Sequence, residues 1–389
     1  MKKAWLCWSV VICLLLGLIT GCSSGDKAAG KQPIKIGHAV ALTGDASVFG
    51  QSEHTGLKIA VEDINKKGGI LGRKVELVAA DTRADPAETV NAVRRLVDQE
   101  KVVAIIGVSQ SGVAMAATPI ITAAKVPTIS TTASNPYVTE TKDGKLHKYM
   151  FRVCFIDTYQ GTVGAQFAYE RLKARRAAIM YDVGSDYSQW LARYFEEAFI
   201  KIGGTIVAKE AYRTGELDFR APLGKIKSAE PDLLFLPVNQ KDAALAAKQA
   251  RDLGITAILM GGDNWASPDI LSLGGSALEG SYFINLTSFE EPAIKEWCQT
   301  HQGKFGGPIV RNALLAYDAM LILANAIERA GTTDGEKIAA ALEQTKDLPV
   351  LTTDKFTIDP KTHNPLNRPA YFNKIENNQF VFVETFAAK

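Results

Sequence analysis

The chain has 389 residues, of which 47% are hydrophobic, 22% charged and 8% aromatic. That length exceeds what a single hydrophobic core supports and the composition is globular, so two domains are expected, and disorder or a polytopic membrane protein is excluded. Lys and Arg number 44 against 42 Asp and Glu, a formal charge of +2 that provides no general field for nucleic acid.

Lys2 and Lys3 precede an uncharged run over 4–20, in which 10–16 is continuously apolar. A basic start followed by about 17 uncharged residues has the form of a secretory signal. The run ends in Leu18-Ile19-Thr20-Gly21-Cys22, which resembles the lipobox of bacterial lipoproteins. That resemblance implies a signal peptide over 1–21, cleavage before Cys22, and a lipid on Cys22 that holds the chain to the membrane. An uncleaved signal anchor is the alternative. Residues 22–32 are small, polar and patternless, as a flexible tether should be. Cleavage removes Lys2 and Lys3, so the formal charge of +2 falls to zero.

From Ile34 onward, short apolar runs alternate with helical patterns, the signature of parallel sheets with crossover helices. Strands are expected over 34–41, 75–80, 102–106 and 128–130, with helices over 52–67, 86–99 and 112–124. The pattern restarts with strands over 177–181, 205–211, 233–237 and 257–260. Helices over 187–202, 219–227 and 242–253 lie between them, the last stopped by Gly254. The remainder has helices over 292–304 and 311–330, the latter stopped by Gly331, and ends in an alternating pair over 370–375 and 380–386. The intervening Glu376-Asn377-Asn378-Gln379 suits a hairpin. The fold class is therefore α/β, as two similar doubly wound, Rossmann-like lobes that exchange segments.

The order of several segments carries a resemblance. Among them are Ile34-Lys35-Ile36-Gly37, Asn65-Lys66-Lys67-Gly68-Gly69-Ile70-Leu71-Gly72, Ala104-Ile105-Ile106-Gly107 and Ala133-Ser134-Asn135-Pro136. Later come Asp186-Tyr187-Ser188, Gly261-Gly262-Asp263 and Ala316-Tyr317-Asp318-Ala319. Together they resemble the type I periplasmic binding-protein fold, specifically the leucine/isoleucine/valine-binding family of ABC-transporter substrate-binding proteins. The resemblance implies a monomer outside the cytoplasmic membrane that captures a small amino-acid ligand between its lobes and serves an ABC permease and ATPase. Lobe one is then 33–152 plus 282–352, and lobe two 153–281 plus 353–389. A three-strand hinge is implied near 151–152, 281–283 and 352–355.

Buried ionic ends of an α-amino acid need oriented partners, because each loses its water. Ser111 and Gly112 open the helix after strand 102–106, where free N–H groups and the positive dipole end suit a carboxylate. Thr132 and Ser134 lie in the matching loop after 128–130; the resemblance implies ligand contacts for all four, while N-capping by Ser111 and Ser134 is the plain alternative. Asp263 follows strand 257–260 at the carboxyl end, where open α/β sheets bind ligands. The resemblance makes it the acid that receives the ammonium. Its removal is then expected to weaken binding about tenfold or more, with little effect on melting of the unliganded protein. Tyr187 matches an aromatic contact from lobe two. Phe49, Asn239 and Trp265 would wall the side-chain pocket, with Tyr159 a further candidate. Asn239 stands where branched-chain binders often carry tyrosine, so leucine is not assured.

No catalytic or metal site is expected, and no cofactor. Gly107-Val108-Ser109-Gln110-Ser111 is not a G-x-S-x-G elbow because its last residue is serine, no H-E-x-x-H, P-loop or G-x-G-x-x-G pattern occurs, and the five histidines are scattered. His38 reads as a strand-end residue. Cys154 and Cys298 read as apolar thiols rather than a disulfide. The lobe-one disulfide of some family members has Ala84 and Gln110 at its positions. Two other readings remain open: a binder of an amide, urea or aromatic acid on the same fold, and a sensor that passes ligand-induced closure to a receptor.

Overall fold

The structure, a computed structural model, describes residues 32–366 and 368–387. The expected signal peptide, the lipobox cysteine Cys22 and the tether up to residue 31 lie outside the described residues. No described helix is long and apolar enough to cross a membrane.

A first body forms around a five-stranded parallel sheet of β1 (Ile34–Val40), β2 (Val75–Asp81), β3 (Ala104–Gly107), β4 (Thr128–Ser130) and β5 (Met150–Arg152), in the order β2-β1-β3-β4-β5. β3 and β4 are buried along their whole length, as parallel strands covered on both faces must be. The crossovers are α1 (Ser47–Lys66), α2 (Pro86–Arg94) and α3 (Ser111–Ala124). α2 opens with Pro86 at its first position and Asp85 as its cap, whose carboxylate accepts from the Glu88 amide at 2.9 Å. Its expected continuation to Gln99 is a single π-turn over Arg95–Gln99.

A second body surrounds a seven-stranded sheet. Its strands are β6 (Arg176–Asp182), β7 (Thr205–Tyr212), β8 (Leu233–Leu236), β9 (Ile258–Gly261), β10 (Tyr282–Asn285), β13 (Ala370–Glu376) and β14 (Gln379–Phe386), in the order β14-β13-β10-β9-β8-β6-β7. The run from β10 to β7 is parallel; β13 and β14 add an antiparallel hairpin. Asn377 and Asn378 turn that hairpin at φ of 51° and 57°, left-handed values that asparagine tolerates and that match the strand twist. Its helices are α4 (Asp157–Glu170), α5 (Asp186–Lys201), α6 (Arg220–Ser228), α7 (Gln240–Asp252) and the short α8 (Asp269–Gly274).

The chain then returns to the first body with α9 (Pro292–His301), α10 (Arg311–Ala330) and α11 (Gly335–Glu343), beside a small two-stranded sheet of β11 (Leu348–Val350) and β12 (Thr353–Phe356). α10 lies so close to α1 that a Cβ on Gly56 would stand 2.3 Å from the Ala313 carbonyl. Gly331 ends α10 in the left-handed conformation at φ 63°, as the sequence suggests.

Several features depart from the pattern reading, the unexpected α8, α11 and β11 among them. α4 has no counterpart in it, because Gly161 and Gly164 interrupt the apolar stripe. Those glycines let α5 approach: a Cβ on Gly161 would stand 2.7 Å from the Phe195 amide nitrogen. The expected lobe boundary at 281/282 falls at the start of β10, which pairs within the seven-stranded sheet, so the chain leaves the second body over 286–291.

Candidate ligand-binding cleft

In each sheet one strand pair is where the connections turn to opposite sides: β1 and β3 in the first, β6 and β8 in the second. Loops diverge at such a switch point and leave a crevice at the carboxyl ends of the strands. One cavity of about 910 Å³ is walled by both crevices, with Ala41, Ser109 and Thr132 from the first body and Asn239 and Asn264 from the second. The bodies also touch at the rim, where Lys241 Nζ lies 2.6 Å from Asp45 Oδ1 and Tyr137 meets the Trp190 ring edge-on.

The first wall is a hydroxyl lattice. After β3, Val108 takes φ 45°, a left-handed conformation rare for a β-branched residue. This turn aims Ser109 at Glu53, both of whose carboxylate oxygens lie 2.7 Å from Ser109 Oγ. Glu53 is fully buried, within 3.4 Å of His38 Nε2 and of Asn312 Nδ2. His38 in turn stacks on His54, which burial and the neighbouring His38 and Lys58 lower to about 4, so His54 is neutral at physiological pH. The Thr132 hydroxyl donates to the Ser109 carbonyl at 2.7 Å and accepts from Asn312 Nδ2 at 3.4 Å. Ser111 is the first residue of α3, and its hydroxyl accepts from the Asn135 amide at 3.2 Å. The buried guanidinium of Arg152 holds this loop in place by donating to the carbonyls of Ala133 at 2.7 Å and Asn135 at 2.8 Å.

The second wall centres on Asp263, which is 1% exposed. Its Oδ1 accepts from Gln160 Nε2 and from the Tyr187 hydroxyl, each at 2.9 Å, and its Oδ2 accepts from Arg311 Nη2 at 2.9 Å. Burial, and then the adjacent Asp263 charge, raise the Tyr187 phenol far above its usual value, so it stays a donor. Beside this group, the Asp157 backbone N–H donates to the Ser134 carbonyl at 2.8 Å. Burial pushes the Asp157 carboxyl up to about 8, against the Ser134 hydroxyl and with Asp263 adding to the rise.

The sequence candidates thus fall into three places. Phe49, Thr132 and Asn239 line the cavity, whereas Ser111, Ser134, Tyr187 and Asp263 are buried, and with the half-buried Gly112 are not part of its lining. The two sets are joined: Arg311 bonds Asp263, sits 5.2 Å above the Phe49 ring, and reaches Asn264 Oδ1 at 3.3 Å, while Asn264 Nδ2 donates to Asn239 at 3.1 Å. Gly112 abuts the second body, where Asp186 Oδ2 would stand 3.2 Å from a Cβ on it. Trp265 stands apart, fully buried in the second body's core with its ring against Gly261. Phe155 packs on the other aromatic candidate, Tyr159, at 5.7 Å between ring centres. Cys154 is buried, its thiol pushed up to about 12, and Cys298 is half-buried at about 11; both are free thiols.

Sequence reasoning missed Glu53, Arg311 and Asn312. One signal was available for Arg311. It opens a largely apolar helix, where a cation opposes the helix dipole and so needs a partner elsewhere. Glu53 offered no such signal, because it sits mid-helix among ordinary polar residues. Among the described residues, no group of three or more His, Cys, Asp or Glu side chains is placed to hold a metal ion.

Comparison with known proteins agrees with this architecture. Residues 33–379 match the family model described as periplasmic binding protein. The chain is 30% identical to Leu/Ile/Val-binding protein homolog 3 of Brucella melitensis over 86% of its own length and 90% of that protein's. It is 32% identical to the Leu/Ile/Val-binding protein BraC3 of Rhizobium johnstonii, over 81% and 85% of the two chains. Among solved structures, the leucine-binding protein LivK of Thermotoga maritima superposes with a TM-score of 0.84 at 34% identity, covering 91% of this chain and 99% of that one. The branched-chain amino acid transporter substrate-binding protein LivJ of Streptococcus pneumoniae, in complex with isoleucine, gives 0.83 at 30% identity over 91% and 99%. Fold, cleft position and these relatives converge: the chain belongs to the periplasmic binding protein family, as a substrate-binding protein rather than an enzyme.

Proposed function

We propose that the protein is an extracytoplasmic lipoprotein, held to the membrane through Cys22, that captures an amino acid between its two bodies and presents it to an ABC permease and ATPase. The observation that carries the reading is the pairing of unlike walls across one cleft. One side offers hydroxyls and the start of α3, the other a buried acid with an aromatic donor beside it; Ser111, Ser134 and Asp263 do not line the present cavity, so a ligand would reach them as the bodies part. An α-carboxylate suits the Ser111 and Ser134 hydroxyls and the Gly112 amide, where the dipole of α3 adds its positive end. The ammonium suits Asp263: each carboxylate oxygen accepts about two bonds, and among the described residues Oδ2 has only Arg311. Phe49 and Asn239 then bound the side chain from opposite bodies.

Closure follows from that division. A ligand that touches both bodies favours the form in which both touch it, by the difference in contacts alone. The two lobes would pivot about the crossings at 151–156, 286–291 and the segment near β12. Titration calorimetry of the full-length chain in detergent against the twenty amino acids should find at least one that binds one to one. Small-angle scattering should show the particle contract on adding it. Failure of every amino acid to bind would remove the reading. Cys22→Ser should release the protein from membranes, and persistent attachment would favour a signal anchor.

A second reading, a binder of an amide, urea or aromatic acid, draws on one observation: Asp263 already accepts from Arg311, Gln160 and Tyr187, so it does not depend on an ammonium. Use of the same cleft by a signalling receptor in place of a permease would leave the binding chemistry unchanged.

A further inference from the structure

We propose that the end of the first body from which the tether departs is a docking face for an anionic bilayer surface. This rests on the lipoprotein reading above and adds which face the anchor holds against the membrane. In a parallel sheet all strands enter at one edge, so the segments that precede β1 to β5 share the end of the body opposite the cleft. β1 lies between β2 and β3, so the chain enters the fold from within this end. Arg73 fixes the entry by donating to the carbonyls of Gln32 at 2.7 Å and Pro33 at 3.3 Å. The far end of α10 reaches the same place, where Glu328 accepts from the Leu71 amide at 2.7 Å.

That end is basic. Around the entry, segments 32–35, 63–76 and 94–101 hold eight Lys or Arg against four Asp or Glu. Segments 125–148 and 328–337 add six against five, which leaves an excess of five positive charges in a mature chain that is neutral overall. Helix ends account for part of it, since Lys66 and Lys125 stand where a helix dipole favours a cation. Lys74 precedes β2, and Lys142 and Lys145 lie in the loop before β5, away from any helix end. These three, with Lys67 and Lys101, are exposed and hold no ion pair among the described residues. The acids are better matched: Glu100 meets Lys35 and Arg95, and Glu336 meets Lys125 and Lys148. At the corresponding end of the second body, Arg171 pairs with Glu384, and Arg175 and Arg176 donate to backbone carbonyls.

The tether makes this charge effective. Ten residues, 22–31, separate the basic end from the lipid. A flexible chain of that length averages about 17 Å between its ends and extends to at most about 35 Å. The anchor thus keeps the lysines within a few Debye lengths of the headgroups, each about 8 Å at physiological salt. Attraction too weak to hold a free protein then suffices, because the second contact is intramolecular. Docked in this way, the first body turns the carboxyl ends of its strands, and the cleft they wall, away from the bilayer.

The test is cosedimentation with phosphatidylcholine vesicles, plain or with about one third phosphatidylglycerol, using the chain from residue 23 onward, which carries both bodies and no lipid. In dilute salt it should bind the anionic vesicles about tenfold or more tightly than the plain ones, and about 0.5 M salt should remove the difference. Lys67→Glu, Lys74→Glu and Lys101→Glu together should abolish the preference. Lys201→Glu, Lys227→Glu and Lys248→Glu make the same change of charge on exposed positions of the second body, and should leave it within about threefold. In the lipidated full-length chain on anionic vesicles, a dye on Lys74→Cys should be quenched by headgroup-labelled lipid more strongly than one on Lys248→Cys. Equal binding to both kinds of vesicle, equal loss in the two triple variants, or equal quenching at the two positions overturns the inference. The anchor itself stands or falls separately, by the release of Cys22→Ser.

Discussion

Asp263→Asn keeps the shape of the side chain and removes the charge facing Arg311. The pair is 2.9 Å long between side chains 1% and 2% exposed, so water cannot replace the lost partner. Removing one member of a buried pair costs about 3–5 kcal/mol, because the remaining charge stays desolvated without compensation. An unfolding entropy of about 2.1 cal/mol/K per residue over about 370 residues is near 0.8 kcal/mol/K, so the unliganded protein should melt about 4–6 °C lower. Replacing both members together, Asp263→Leu with Arg311→Met, should recover most of that loss, since an apolar pair of similar volume carries no stranded charge. Differential scanning calorimetry without ligand measures all three proteins. A single-variant shift below about 1 °C would refute the pairing. It would return Asp263 to the role expected from sequence, an acid unengaged until ligand arrives.

Asp157 gives a pH prediction. Its folded value of about 8 lies above the ordinary value of 3.8, so between them the folded state binds more protons than the unfolded one. Stability from this group is therefore full at low pH and lost as pH rises from about 4 to about 8, by at most about 1.4 kcal/mol per pH unit. Asp157→Asn should flatten that decline in melts taken from pH 5 to 8, and an unchanged slope would assign the loss elsewhere. Gly161→Ala would place a Cβ 2.7 Å from the backbone of α5. It should cost about 1–3 kcal/mol by forcing the helices apart, and a neutral result in chemical denaturation would mean that α4 and α5 are not so close in solution. Lys241→Ala removes a rim pair whose side chains are 53% and 94% exposed. It should leave the melting temperature within about 1 °C, since water and salt screen such pairs, whereas a fall of several degrees would make the pair a latch.

Much of the framework is local and was readable along the chain. Fully apolar runs such as Ile105-Ile106 and Leu233–Leu236 announce strands covered on both faces, and helical patterns between them announce crossovers. Asp85-Pro86 starts a helix and Gly331 ends one for reasons held within a few residues. The candidate positions at strand ends follow from the same logic, because parallel α/β sheets open their crevices there.

The chemistry of the cleft was decided by distance in space. Arg311 and Asp263 are 48 positions apart and on different bodies, so no periodicity relates them. Their pairing turns an acid that sequence reads as waiting for an ammonium into one already engaged, and puts a guanidinium at the cavity wall. The Glu53–Ser109 contact, spanning 56 positions, is of the same kind. So is the burial of Trp265, which the sequence places beside Asp263 and the fold packs against Gly261. Local sequence fixes backbone conformation because its determinants lie within a turn or two. Which charges meet depends on how the strand-end loops of two sheets are brought face to face, and only the assembled chain determines that.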